Sequence, residues 1–270
     1  MPDTARKKRT APSIVAMKKA GQKIAALTAY DCTTARILDE AGVDIILVGD
    51  SAAMVVLGYG NTLPVTLDAM IVLTAAVSRA RPRALVVGDM PFMSYQASVA
   101  DAVRNAGRMV KEGGAEAVKL EGGKKVVGKV EAVLSAGIPV MGRVGLTPQS
   151  IHEFGGYRVQ GKNDASHDRI IEDAIALERA GCFSIVLEAM PWQLGREITE
   201  AVSIPTIGIG AGPHTDGQVL VINDIIGMID GPPAKFVRGY GDVRSVVAEA
   251  AAGFVRDVKA GDYPNLDESY

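Results

Sequence analysis

Ile46-Leu47-Val48-Gly49-Asp50 and Leu85-Val86-Val87-Gly88-Asp89 nearly repeat one another, each an apolar run closed by Gly-Asp. Two further runs also stop at a carboxylate: Ala117-Val118-Lys119-Leu120-Glu121 and Ile185-Val186-Leu187-Glu188. Continuous apolar runs suit parallel strands that are covered on both faces. A carboxylate where such a run stops is poor core filling, because an unpaired buried charge is costly. Taken alone, Asp50 or Asp89 could be a helix N-cap. Four such endings in one chain instead predict a shared acidic site at one end of a parallel sheet. Acidic clusters at strand ends serve a hard cation, acid–base chemistry, or both.

Outward from these runs, strands and helices alternate. An opening helix is expected over 12–19, a first strand over 23–28, a helix over 31–41 and a second strand over 44–49. The stretch 51–65 carries Gly58, Gly60, Asn61 and Pro64 and reads as a functional loop. Thr66 should cap a helix to about Arg81, followed by a strand over 84–88, a helix over 97–112, a strand over 115–120 and a helix over 124–136. A fifth strand over 138–143 leads into the glycine-marked 144–163, read as a lid or active-site wall. A helix over 165–180, a strand over 183–187, a helix opened by Pro191 at N1 and a strand over 204–209 follow. The eighth strand is placed at 225–229 or 235–237, and a helix over 243–259 closes the chain.

Nearly eight strand–helix units in 270 residues, with no composition break, is the arithmetic of a (β/α)8 TIM barrel. The expectation is one α/β domain over 1–270, with an N-terminal capping helix and a frayed, solvated 1–10. A doubly wound open sheet competes, but only a barrel converges all strand ends on one pocket. The formal net charge of -2 and 5% aromatic content argue against a nucleic-acid or anionic-membrane partner. Cys32 and Cys182 are the only cysteines, too few for a disulfide framework or a zinc set, so a reduced cytoplasm is expected. The basic run Arg6-Lys7-Lys8-Arg9 lacks the apolar region of a signal peptide.

Strand side chains alternate faces, so Lys119 and Glu121 share the interior and Leu120 faces the helices. By the same rule Val48 pairs with Asp50, Val87 with Asp89, and Val186 with Glu188. Several carboxylates in one mouth need a positive charge, and an oxygen-only set points to Mg²⁺. Asp50 and Asp89 are the expected direct ligands, and Glu121 could ligate directly or through water. Lys119 could meet a substrate carboxylate or oxo group, or be salt-bridged to Glu121. Glu188 is a natural general base, or else a further carboxylate behind the metal. Ser51 could bind a substrate carboxylate or cap a helix or loop. The segment Gly208-Ile209-Gly210-Ala211-Gly212 lacks the spacing of a dinucleotide fingerprint and reads as a sharp turn. His152, His167 and His214 are not at metal-binding spacing. These readings describe a Mg²⁺-dependent enzyme that enolises a small oxo acid.

At these residues the sequence resembles the ketopantoate hydroxymethyltransferase family. The resembling segments are Thr28-Ala29-Tyr30-Asp31, Val48-Gly49-Asp50-Ser51, Gly88-Asp89-Met90-Pro91-Phe92, Val118 through Gly123, Gly142 through Ser150, Gly155 through Gly161, Leu187-Glu188 and Gly208 through Val221. The resemblance implies a Mg²⁺-dependent barrel, and transfer of the one-carbon unit of 5,10-methylenetetrahydrofolate to 3-methyl-2-oxobutanoate. The product would be 2-dehydropantoate, on the route to pantothenate and coenzyme A. It implies Asp50, Asp89 and Glu121 at the metal, Asp50, Ser51, Asp89 and Lys119 on the substrate, Glu188 as proton acceptor, and a homodecamer. Arg143 and Asn223 depart from the pattern, each standing where many members carry His. The rival readings are a lyase or mutase among related Mg²⁺-enolate barrels, and a catalytically silent barrel.

Overall fold

A computed structural model describes residues 7–154, 156 and 158–270. Residues 1–6, with most of the expected frayed terminus, and Gly155 and Tyr157 of the glycine-marked wall lie outside the described residues. The chain divides into two compact units, with the boundary in sequence between Val221 and Ile222.

In the first unit, eight parallel strands close a TIM barrel in the order β1 to β8. They are β1 Ile24–Thr28, β2 Ile45–Val48, β3 Leu85–Asp89, β4 Ala117–Glu121, β5 Val140–Gly145, β6 Ser184–Glu188, β7 Thr206–Ile209 and β8 Gly217–Leu220. The eighth strand therefore lies neither at 225–229 nor at 235–237. Its run is short, opens on glycine and contains Gln218, so it carries little apolar signal. Gly217 is required there, because a Cβ would lie 2.4 Å from the Ile24 carbonyl oxygen of β1, where the barrel closes through the Ile24–Gly217 pairing.

Inside the barrel, Ile24, Ala26, Ile45, Leu47, Leu85, Val87, Ala117, Met141, Val186, Ile207 and Val219 form one buried cluster. Ala11, Ile14 and Met17 of the helix Ala11–Lys19 join it, so this helix caps the barrel as expected. Thr10 and Ser13 form its capping box. Residues 8 and 9, assigned from the sequence to a frayed terminus, are instead tied down. Lys8 Nζ donates to the Pro82 and Ala84 carbonyls and pairs with Glu116, and Arg9 pairs with Asp44. These partners precede β2, β3 and β4, so the cap closes the N-terminal end and leaves the opposite mouth for chemistry.

Most helix limits fall near their sequence signals. Asp31, Thr66, Ser98 and Asn163 are side-chain N-caps, as donor-satisfying oxygens at helix starts should be. The helix begun by Thr66 stops at Ser78 rather than Arg81. Pro191 is the N-cap of Trp192–Ala201 rather than its first residue. The loop 51–65 contains a single helical turn, Ala52–Val55, and 144–163 contains Pro148–Ser150 and Ile151–Phe154.

The second unit, Ile222–Tyr270, holds the short helix Ile222–Ile225, which includes Asn223, and the long helix Val243–Ala260. Asp242 caps the long helix at its start, and Gly261 at φ +79° ends it.

Candidate active site

Register builds the mouth. Asp89 pairs with Lys119, Glu121 with Arg143, and Gly145 with Glu188. In-register neighbours in a parallel barrel point the same way, so these side chains rise in layers inside the wall. Asp50 arrives differently. Leu47, not Val48, faces the interior cluster, and β2 ends at Val48. The turn after the strand, rather than strand alternation, brings Asp50 into the pocket.

Asp50, Asp89, Lys119, Glu121 and Arg143 are all buried. Asp89 Oδ2 accepts from the Asp50 backbone N–H at 3.2 Å, which locks the two acids together. Lys119 Nζ donates to Asp89 Oδ1 at 2.5 Å. Lys119 is thus salt-bridged to Asp89 and not to Glu121, its strand neighbour two residues on. Ser51 precedes the turn Ala52–Val55 without capping it by its side chain, and its Oγ lies 2.9 Å from the Tyr30 hydroxyl.

Gln149 and Tyr95, which the sequence reading did not single out, hold the acids. Gln149 Nε2 donates to Asp50 Oδ2 at 3.2 Å and to the Met90 carbonyl at 2.9 Å. Its backbone N–H donates to Glu121 Oε1 at 2.7 Å. Its Oε1 accepts from Gln96 Nε2 at 2.8 Å and lies 3.0 Å from the Tyr95 hydroxyl. The same hydroxyl accepts from the Glu121 N–H at 3.2 Å. Polar residues spaced after the Gly-Asp and Lys-Leu-Glu runs were the available signal, but their convergence is tertiary.

Arg143 closes the opposite side. Its Nε donates to the Leu146 carbonyl at 3.1 Å. One terminal nitrogen pairs with Glu188 Oε2, and the other lies 3.6 Å from Glu121 Oε2. Glu188 is the most exposed of the acids in these ion pairs, with 13% of its side chain accessible.

Burial sets the protonation. It pushes Asp89 up to about 6, against the pull of Lys119 and with the help of Asp50. It pushes Glu121 up to about 8, opposed first by Arg143. Glu188 is raised by burial and held back by Arg143. Burial works against the Arg143 charge, but Glu188 and Glu121 outweigh it and raise that group.

Four carboxylates (Asp50, Asp89, Glu121 and Glu188) face two cations, Lys119 and Arg143, so full ionisation leaves a deficit of two positive charges. Glu121 Oε2 is buried without a hydrogen-bond partner. A hard divalent cation fits both features. Among the described residues, no three Asp, Glu, His or Cys side chains converge into a ready-made metal set. Asp50 and Asp89 are in direct contact, while Glu121 joins them through Gln149.

Gly208 and Ile209 end β7, and the sharp turn follows at 210–212. Gly210 and Gly212 take positive φ, and a Cβ on Gly212 would strike Trp192 at 2.3 Å. His167 lies near Asp168 and Glu197, and His214 packs against Trp192 with the ring planes tilted by 45°. Among the described residues, no helix is long and apolar enough to cross a membrane.

The model of the ketopantoate hydroxymethyltransferase family matches residues 8–266. A 3-methyl-2-oxobutanoate hydroxymethyltransferase from Geobacter metallireducens is 54% identical over 264 residues, covering 98% of this chain and 99% of that protein. One of the same name from Thermobifida fusca is 55% identical, over 99% of this chain and 95% of that protein. Among solved structures, phosphonopyruvate hydrolase with oxalate and Mg²⁺ superposes with a TM-score of 0.63 at 13% identity, over 96% of this chain and 93% of that one. A 2,3-dimethylmalate lyase of the PEP mutase/isocitrate lyase superfamily superposes at 0.61 with 16% identity, over 96% of this chain and 90% of that one. The structural likenesses show the shared barrel.

Proposed function

The chain belongs to the ketopantoate hydroxymethyltransferase family, and from that premise we propose how its mouth performs the transfer. The enzyme adds a hydroxymethyl group to C3 of 3-methyl-2-oxobutanoate, giving 2-dehydropantoate for pantothenate synthesis. Family membership sets aside the lyase and silent-barrel readings. The donor we infer is 5,10-methylenetetrahydrofolate. The C3–H bond breaks and a bond from C3 to the methylene carbon forms; both methylene–nitrogen bonds break, water supplies the hydroxyl oxygen, and the C3 proton and one water proton end on the two folate nitrogens.

The observation that supports this reading is that Glu188 feels the charges of Asp50, Asp89, Lys119 and Arg143 within one buried cluster, with two carboxylate charges unbalanced. Asp50 and Asp89 would hold Mg²⁺, and Glu121 would complete the site, directly or through a water. When bound, the ion supplies stabilisation of the charge that develops on the keto oxygen as C3 is deprotonated. Lys119, fixed on Asp89, lends a second positive charge to that region. Ser51 offers its hydroxyl to the substrate carboxylate. Glu188 accepts the C3 proton, its ionised form being sustained by Arg143. Walls of buried side chains exclude water, so these charges act in a low dielectric.

Both cysteines are free thiols, which suits a cytoplasmic location. The expected assembly is a homodecamer, so sedimentation should give tenfold the chain mass, and a monomer would refute it. The activity is tested by incubating the purified chain with oxo acid, Mg²⁺ and 5,10-methylenetetrahydrofolate and following 2-dehydropantoate by mass spectrometry. Product requiring all three supports the reading. Product formed equally with chelator, or none under any condition, contradicts it.

A further inference from the structure

We propose that Arg143 is the positioning residue for the base, a fixed clamp that holds one oxygen of Glu188 so that the other meets the substrate. The proposal rests on the reading of Glu188 as proton acceptor. Arg143 pairs in register with Val186, two residues before Glu188, so its side chain climbs one layer to reach that carboxylate. Its guanidinium plane is set from behind by the Leu146 carbonyl. One terminal nitrogen is hydrogen-bonded to Glu188 Oε2, and the other is turned to Glu121 at 3.6 Å, an ion pair without a hydrogen bond. Among the described residues, no other hydrogen bond reaches the Glu188 carboxylate, leaving Oε1 free for chemistry.

A rival role for Arg143 is to anchor the substrate carboxylate. A two-pronged hold on that carboxylate would require the substrate to displace Glu188 from a buried, charge-assisted contact, which is among the stronger hydrogen bonds available. Ser51, whose hydroxyl meets the neutral Tyr30 hydroxyl at 2.9 Å, is the cheaper group for the substrate to engage. The charges facing Glu188 are Arg143 from β5, Lys119 from β4, and Asp89 and Asp50 from β3 and the turn after β2. Arg143 is the first-ranked favourable charge among them and the one in contact.

The test is Mg²⁺-dependent exchange of the C3 deuteron of 3-methyl-2-oxobutanoate, read by NMR without folate, for wild type, Arg143→Met and Arg143→Lys. A misplaced catalytic group costs on the order of 10²-fold in rate. Arg143→Met should lose about that much in kcat with KM within about twofold, and its kcat profile should need higher pH. Arg143→Lys keeps the charge without the fork and should fall only about tenfold, with the pH profile restored. A raised KM at preserved kcat would overturn the proposal in favour of a substrate anchor. An unchanged kcat in both variants would make Arg143 a bystander. If the Met variant fails to fold by circular dichroism, the Lys variant decides alone, and a wild-type kcat there overturns the clamp. No exchange in wild type would instead overturn the assignment of Glu188, and the clamp with it.

Discussion

Replacing Gln149 by leucine should separate the scaffold of the site from its chemistry. The side chain is of similar bulk though shorter, and the backbone N–H that holds Glu121 Oε1 survives. Two groups lose what they cannot replace. The Met90 carbonyl, beside a fully buried side chain, loses its 2.9 Å partner, and an orphaned buried acceptor costs about 1–3 kcal/mol. Asp50 loses a charge-assisted bond, worth roughly 1.5–3 kcal/mol. Tyr95 keeps the Glu121 carbonyl 3.0 Å away, and half-buried Gln96 can reach water, so neither adds much. Allowing for the apolar burial gained by leucine, the net loss is about 3 kcal/mol. For 270 residues, unfolding entropy is about 0.6 kcal/mol/K, so Tm should fall by about 5 °C. Loss of a group that orients a metal ligand weakens metal binding about 10–100-fold. Calorimetry in chelator reads the first quantity, and Mg²⁺ titration reads the second. A Tm within about 1 °C of wild type and an unchanged Mg²⁺ affinity would refute the view that Gln149 organises the acidic pair.

Two further outcomes follow from the same geometry. Gly145 sits at φ +91°, and a Cβ there would lie 2.3 Å from the Glu188 backbone oxygen. Gly145→Ala must therefore part β5 from β6 beside the base, and exchange should drop by about 10²-fold or more; wild-type exchange would show that the spacing is slack. In the metal-free protein, Asp89 at about 6 and Glu121 at about 8 lie above their unfolded values. The folded state then binds more protons between roughly pH 4 and 8, so stability falls as pH rises through that window. Calorimetry in chelator should show Tm declining from about pH 5 to 8, with Mg²⁺ restoring more at pH 8 than at pH 6. A Tm that rises with pH would contradict the raised values.

The barrel was legible because its signals are local. Apolar runs closed by Gly-Asp, Lys-Leu-Glu or Leu-Glu marked the central strands, and capping residues such as Asp31 and Thr66 marked helix starts. Signals failed where a strand is defined by its neighbours: β8, with Gly217 and Gln218, exists because β1 and β7 present edges to it. Alternation placed Lys119 with Glu121 correctly, but misplaced Val48 because β2 ends before Asp50. The acidic residues were readable as strand endings. Their supports were not, because Gln149 and Tyr95 meet them only across sequence separations of 26 to 99 residues. Arg143 was visible as a departure from the family's pattern, while its contact with Glu188 needed the β5–β6 register.

The central claim is that Glu188 removes the C3 proton with the help of a cation held by Asp50 and Asp89. Its most direct test is C3 deuteron exchange in 3-methyl-2-oxobutanoate, comparing wild type with Glu188→Gln, each with Mg²⁺ and with chelator. The account predicts exchange in wild type only with Mg²⁺, and at least about 10²-fold slower exchange in the variant, as for loss of a general base. Exchange that survives in Glu188→Gln, or that proceeds equally in chelator, would contradict it.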